Sequence, residues 1–163
     1  MGIDHEFAPA LAKALMAAGL TIPPNGSILL SIADSSKTEA VPMIKSLARS
    51  GCVIYATEGT AASVRALGIH VKAVLKRINQ GHPNVVDVIL DESVDAVINT
   101  VTGERETLMD GFQIRRAAVE RRIPCFTSLD TARAAVESLA NNSSSYNIKS
   151  LASYRKGPAK PNL

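Results

Sequence analysis

Residues 27–37 read Ser27-Ile28-Leu29-Leu30-Ser31-Ile32-Ala33-Asp34-Ser35-Ser36-Lys37: a short apolar run that ends in hydroxyls, a carboxylate and a lysine. The run follows a turn-rich break, Thr21-Ile22-Pro23-Pro24-Asn25-Gly26. Four more apolar runs follow it, at Cys52–Ala56, Val71–Leu75, Val94–Asn99 and Ile123–Phe126. Amphipathic stretches at 37–50, 60–67, 84–90 and 110–121 separate them, and one more covers 129–140. Five strands alternating with helices imply βαβ units and a mainly parallel sheet. Strands this apolar are covered on both faces, so the predicted fold is α/β, a three-layer sandwich with helices on both sides of the sheet.

Outward from that frame, Asp4 is placed to cap a first helix carrying Phe7, Leu11 and Leu15, stopped by Gly19. Pro42 sits badly in a helix interior, so the helix after the first strand either kinks there or becomes regular near it. Ser36 with Glu39 fits a capping box, and Asp110 reads as an N-cap. Asp87, Asp91, Glu92 and Asp95 read as a solvated helix end and turn. From Asn141 the chain turns polar, with a weak apolar patch of Ile148, Leu151 and Tyr154, and reads as a tail.

The 163 residues are the length of one compact domain. With 46% hydrophobic and 20% charged residues a core can be built, and global disorder is excluded. Aromatics are only 4%, so the core rests on Ala, Val, Ile and Leu. The net charge of +3 is concentrated in the tail, and no basic stripe laced with aromatics argues for nucleic acid. No apolar segment approaches the ~20 residues of a membrane span and no signal peptide is visible, which predicts a soluble, cytoplasmic protein. Cys52 and Cys125 read as small buried hydrophobes, and two cysteines in separate strands cannot make a metal site.

In an open parallel sheet, ligands bind beyond the carboxyl ends of the strands. After the first strand come Ser31, Asp34, Ser35, Ser36 and Lys37; after the second, Thr57-Glu58-Gly59-Thr60 opens a helix. The third leads to Lys76 and Arg77, the fourth to Asn99-Thr100-Val101-Thr102-Gly103, and the fifth to Thr127-Ser128. Taken singly, each hydroxyl reads as an ordinary cap. Across four loops, with two lysines and a helix N-terminus, they read as a site for phosphate or carboxylate. No Gly-rich loop ending in Gly-Lys-Ser/Thr is present, and no Ser/His/Asp set can be assembled around His5, His70 or His82. Arg115 and Arg116 could reach a phosphate, but read first as a solvated or interface-facing pair.

In order along the chain, several stretches resemble the C-terminal domain of the large chain in the carbamoyl phosphate synthetase family, which has a methylglyoxal-synthase-like fold. They are Ser31-…-Lys37, Ala56-Thr57-Glu58-Gly59-Thr60, Gly68-Ile69, Lys76, Gly81-His82-Pro83, Ile98-Asn99-Thr100-…-Gly103 and Ile114-Arg115-Arg116-Ala117-Ala118. The resemblance covers about residues 1–140. It implies a linker helix from a preceding synthetase domain at 1–20, a regulatory, allosteric domain at 21–140 and a tail at 141–163. It also places the first and fourth strands side by side at the sheet centre.

In that family the crevice binds a nucleotide effector, UMP as inhibitor and IMP as activator, to control carbamoyl phosphate synthesis for pyrimidine and arginine biosynthesis. Carried over by position, the resemblance assigns the effector to Ser31, Lys37, Thr57, Gly59, Thr60, Lys76, Asn99, Thr100 and Val101. Val101 replaces a frequent hydroxyl residue. Thr127 would touch a second effector, ornithine, although Cys125 stands where relatives have an aromatic. The absence of Trp ranks N-acetylglutamate below a nucleotide. The domain itself would carry no catalytic residue, metal or cofactor. The parent ligase would use ATP with Mg or Mn, and its partners would be the rest of the large subunit and the glutaminase small subunit, with homo-oligomerisation through this domain also open.

Two alternatives stand beside this reading. One is a methylglyoxal synthase, whose base is an Asp after the third strand; here that region reads Gln80-Gly81-His82-Pro83-Asn84, with no Asp before Asp87. The other is a non-regulatory interaction or oligomerisation module.

Overall fold

The computed structural model describes residues 1–76, 81–100, 105–140 and 148–155, with the side chains of 105–108 and 140 left aside. Helix α1 (Phe7–Ala17) precedes strand β1 (Ser27–Ser31), a 3-10 turn (Asp34–Ser36) and α2 (Lys37–Arg49). Then come β2 (Val53–Thr57), α3 (Glu58–Ala66), β3 (Lys72–Val74), α4 (Val85–Leu90) and β4 (Ala96–Asn99). The chain continues through α5 (Arg105–Glu120), β5 (Cys125–Phe126), α6 (Leu129–Ala140) and a short α7 (Leu151–Arg155). The five strands lie in the order β3-β2-β1-β4-β5, and every pairing is parallel. The predicted α/β sandwich is therefore the observed one, with β1 and β4 adjacent at its centre.

Alternation along the strands shows why the sheet needs two cover layers. Ile28 and Leu30 of β1, Ile54 and Ala56 of β2, and Ala96 and Ile98 of β4 enter one core with Ile44 and Leu47 of α2, Val64 of α3 and Val136 of α6. Their neighbours Leu29 and Val97 enter the other, with Val88 and Ile89 of α4 and Ile114 and Ala118 of α5. Each fully buried Leu or Ile contributes about 1.5–3 kcal/mol over its exposed state, and these strands leave almost no residue to solvent. Helix α1 packs on α6 and buries Leu15 in the first core.

Several local expectations are corrected. Asp4 does not cap α1: the cap position is Glu6, with no side-chain bond, and Asp4 instead accepts from Lys13 at 2.7 Å. Gly19 does follow the helix, at φ +69°. The capping box at Ser36 and Glu39 is not made, because Ser36 gives no cap bond and Glu39 receives Arg133 at 2.9 Å. Helix α2 is helical from Lys37 and runs through Pro42, so its regular part does not begin there. Both Pro42 and Thr38, the carbonyl partner that Pro42 cannot serve, are exposed, so water can take the orphaned acceptor.

Asp110 lies inside α5, which starts at Arg105, and is not its cap. Nor are the acids of 87–95 simply solvated. Asp87 closes a capping box with Asn84, and Asp95 accepts the Ser27 amide at 2.7 Å, tying the starts of β1 and β4 together. Glu92 receives Arg121 at 3.3 Å. In the region read as tail, Tyr154 of α7 receives Lys13 at 3.2 Å and stacks, tilted, 5.1 Å from His5.

Candidate functional site

The carboxyl ends of β1 and β4 meet in register, Ser31 opposite Asn99, and the helices that follow them, α2 and α5, pack on opposite faces of the sheet. That divergence opens a small cleft, about 40 Å³ inside, lined by Ser31, Ile32, Ala33, Thr57, Lys76, Asn99, Thr100, Gly111 and Ile114. Five of the positions named from the sequence thus share one wall: Ser31, Thr57, Lys76, Asn99 and Thr100. The topology explains the gathering, because a parallel sheet delivers every strand's carboxyl end to the same edge.

Internal hydrogen bonds hold the cleft rigid. The Thr100 amide donates to the Ser31 carbonyl at 3.0 Å, while the Thr100 hydroxyl accepts the Ala33 amide at 3.0 Å. Asn99, 1% exposed, donates its carboxamide N–H to the Gly111 carbonyl of α5 at 3.2 Å. Thr60 is as deeply buried. Its hydroxyl accepts the Ile32 amide at 3.1 Å, donates to the Ile32 carbonyl at 3.4 Å and receives the Thr57 hydroxyl at 3.2 Å. Thr60 therefore clamps α3 to the end of β1, and its side chain is committed to that task. Gly111 was not singled out from the sequence, and Ile114 was named only in a resembling stretch and not as a site residue; a glycine within a helix, three residues before an apolar one, was the available signal of a close approach.

Lys37, Gly59 and Thr60 do not line this cleft; they sit together beside it, at the start of α3. The Lys37 ammonium donates to the Gly59 carbonyl at 2.8 Å and pairs with Asp34 at 2.6 Å. Gly59 admits it: a Cβ there would lie 3.2 Å from Lys37 Nζ. Hydrogen bonding and charge from Lys37, then the charge of Lys76, hold the Asp34 carboxyl below its ordinary range. Thr57 precedes α3 in an extended conformation and makes no side-chain cap bond, its hydroxyl being turned to Thr60. The first-turn N–H groups of α3 consequently keep their positive end uncapped by that side chain. Thr127 is exposed just past β5 and does not line the cleft. Val101, Arg77, Thr102 and Gly103 lie outside the described residues.

The remaining chemistry is sparse. Burial pushes both thiols up, at Cys52 and Cys125, which disfavours a thiolate nucleophile at either. Asp87, the first acid after the third strand, accepts the Asn84 amide at 2.8 Å and His82, and does not line the cleft. Arg116 pairs with Glu120 at 2.8 Å on the face of α5 away from the sheet. Among the described residues, no group of three or more His, Cys, Asp or Glu side chains could hold a metal ion, and no helix is long and apolar enough to cross a membrane.

Comparison with known proteins agrees with this fold. The model of the MGS-like domain family matches residues 39–127. The chain is 49% identical over 155 residues to the carbamoyl phosphate synthase large chain of Thermomicrobium roseum, covering 95% of this chain and 14% of that protein. It is 41% identical over 139 residues to the carbamoyl phosphate synthase large chain, C-terminal section, of Methanopyrus kandleri, covering 85% of this chain and 26% of the relative. Both relatives are thus much longer than the part this chain spans. Among solved structures, the methylglyoxal synthase of Elizabethkingia anophelis NUHP1 superposes with a TM-score of 0.55 at 20% identity, over 71% of this chain and 79% of that one. At that identity the likeness is one of fold.

Proposed function

From the premise that this chain belongs to the MGS-like domain family, we propose that it is the effector-binding regulatory domain of a carbamoyl phosphate synthetase large subunit. The carrying observation is the cleft between β1 and β4, where Ser31, Thr57, Lys76, Asn99 and Thr100 converge beside Lys37 and the start of α3. Two ammonium groups, hydroxyls and helix N–H groups make a surface for the phosphate of a nucleotide such as UMP or IMP. Lys37, Lys76 and the α3 amides at Gly59 and Thr60 hold the phosphate, while Ser31, Asn99, Thr100 and Val101 meet the rest of the ligand. The Thr60 hydroxyl supports the site through Ile32.

The domain acts by population shift. A ligand controls a distant site only through its differential affinity for two states, typically a coupling of ~1–3 kcal/mol. Carbamoyl phosphate synthesis belongs to the longer parent, with ATP, Mg or Mn and the glutaminase small subunit. A second effector, ornithine, would meet Thr127. The phosphate-lyase alternative is disfavoured because Asp87 is engaged as a helix cap, away from the cleft.

Calorimetric titration with UMP, with IMP, ornithine and N-acetylglutamate alongside, tests the reading. Saturable UMP binding that Lys37→Ala weakens at least tenfold is expected. Folded protein that takes up none of the four ligands overturns it.

A further inference from the structure

Lys76, which lines the cleft, and Lys37, beside it, both act on one carboxylate, that of Asp34 in the 3-10 turn between β1 and α2. The two members of the Asp34–Lys37 pair are held very differently. The Lys37 side chain is 22% exposed and anchored from behind by the Gly59 carbonyl, whereas the Asp34 side chain is 94% exposed. The carboxylate is therefore the exchangeable partner, since an ion pair this open is weak and readily replaced. An ammonium group has three donors. Gly59 takes one and Asp34 another, so an incoming anion would compete with Asp34 for this ammonium.

We propose that Asp34 is a built-in counter-ion that competes with an anionic ligand for Lys37 and thereby selects phosphate monoesters over simple carboxylates. The proposal rests on the reading of the cleft as an anion site and adds what governs its affinity. A monoanionic carboxylate replaces Asp34 with its own equivalent and gains little. A phosphate monoester near neutral pH carries about −1.5 to −2 charge and three acceptor oxygens, so it outcompetes the resident carboxylate. After displacement Asp34 remains tethered three residues from Lys37, and its charge continues to oppose the ligand.

The test compares inorganic phosphate and UMP binding to the wild-type chain, Asp34→Asn, Asp34→Glu and the Asp34→Asn/Lys37→Gln double variant. At low salt, Asp34→Asn is expected to bind both probes about two- to fivefold more tightly, the scale of an exposed charge pair. Asp34→Glu should behave as wild type, the double variant should lose the gain, and the gain should shrink as salt screens the cleft. A purely structural role for Asp34 would not follow charge and salt in this way. Wild-type binding that Asp34→Asn leaves unchanged or weakens overturns the counter-ion and leaves the anion site standing. No binding by any variant overturns both.

Discussion

The Lys37 ammonium rests 2.8 Å from the Gly59 carbonyl, joining the start of α2 to the first turn of α3 across 22 residues of sequence. The fit is close: a Cβ at residue 59 would come 3.2 Å from the nitrogen, so the lysine would have to shift by a few tenths of an ångström. Gly59→Ala should separate stability from binding. Alanine in place of glycine within a helix is worth roughly 0.5–1 kcal/mol, so denaturant midpoints should hold or rise. Displacing Lys37 should meanwhile weaken phosphate and UMP binding severalfold. Parallel urea unfolding and calorimetry check this, and unchanged affinity would remove Gly59 from the site.

Thr60 should behave in the opposite way. Thr60→Val keeps the shape but strips both bonds to Ile32, leaving a buried amide without its acceptor. The expected loss is about 1–3 kcal/mol of unfolding free energy, measured by urea denaturation. Thr60→Ser, which keeps the hydroxyl, should recover most of it.

Asn99 lies where fold and ligand site coincide. Asn99→Asp replaces the N–H that reaches Gly111 and brings a negative charge to the wall of the cleft. Anion binding should fall more than tenfold, and stability should drop by about 1–3 kcal/mol as a buried acceptor loses its donor. Binding equal to wild type would refute the assignment of the cleft as an anion site.

Asp87 provides a control outside the cleft that also predicts a pH dependence. The Asn84 amide first, and His82 after it, hold its carboxyl below the ordinary value of 3.8. A carboxyl depressed on folding stabilises the protein above its unfolded value, and that contribution is lost as pH falls through the lower folded value. Asp87→Ala should therefore cost about 1 kcal/mol near neutral pH through the broken capping box. The gap from wild type should close as pH falls below about 4. UMP affinity should not change, and thermal melts across pH with one titration decide the matter.

The sandwich could be read from the chain because its signals are local. Alternating Leu29 against Ile28 and Leu30 can be satisfied only between two layers, and five such runs separated by helices leave few other arrangements. Ser31, Thr57, Lys76, Asn99 and Thr100 were also legible, since whatever follows a strand in a parallel sheet arrives at one edge. The adjacency of β1 and β4 came from family resemblance rather than from any local pattern.

Other assignments failed at that level because one side chain type can serve several partners. Asp4, Ser36, Glu39 and Asp110 all have cap chemistry, and distant or neighbouring groups decided otherwise: Lys13 claimed Asp4 and Arg133 claimed Glu39. Thr60 is a different case: its hydroxyl is bound to Ile32, 28 residues away, which bears on the side chain and not on the backbone amide read as a ligand contact. Gly111 and Ile114 entered the cleft only when α5 folded back over β4. Residue order alone was enough for the layers, the strands and the edge at which polar loops collect, because hydrophobic period and chain direction are local properties. Which hydroxyls support the scaffold, which face the cleft and which carboxylate shields Lys37 emerged only in the folded chain, because three-dimensional proximity settles hydrogen bonds and ion pairs.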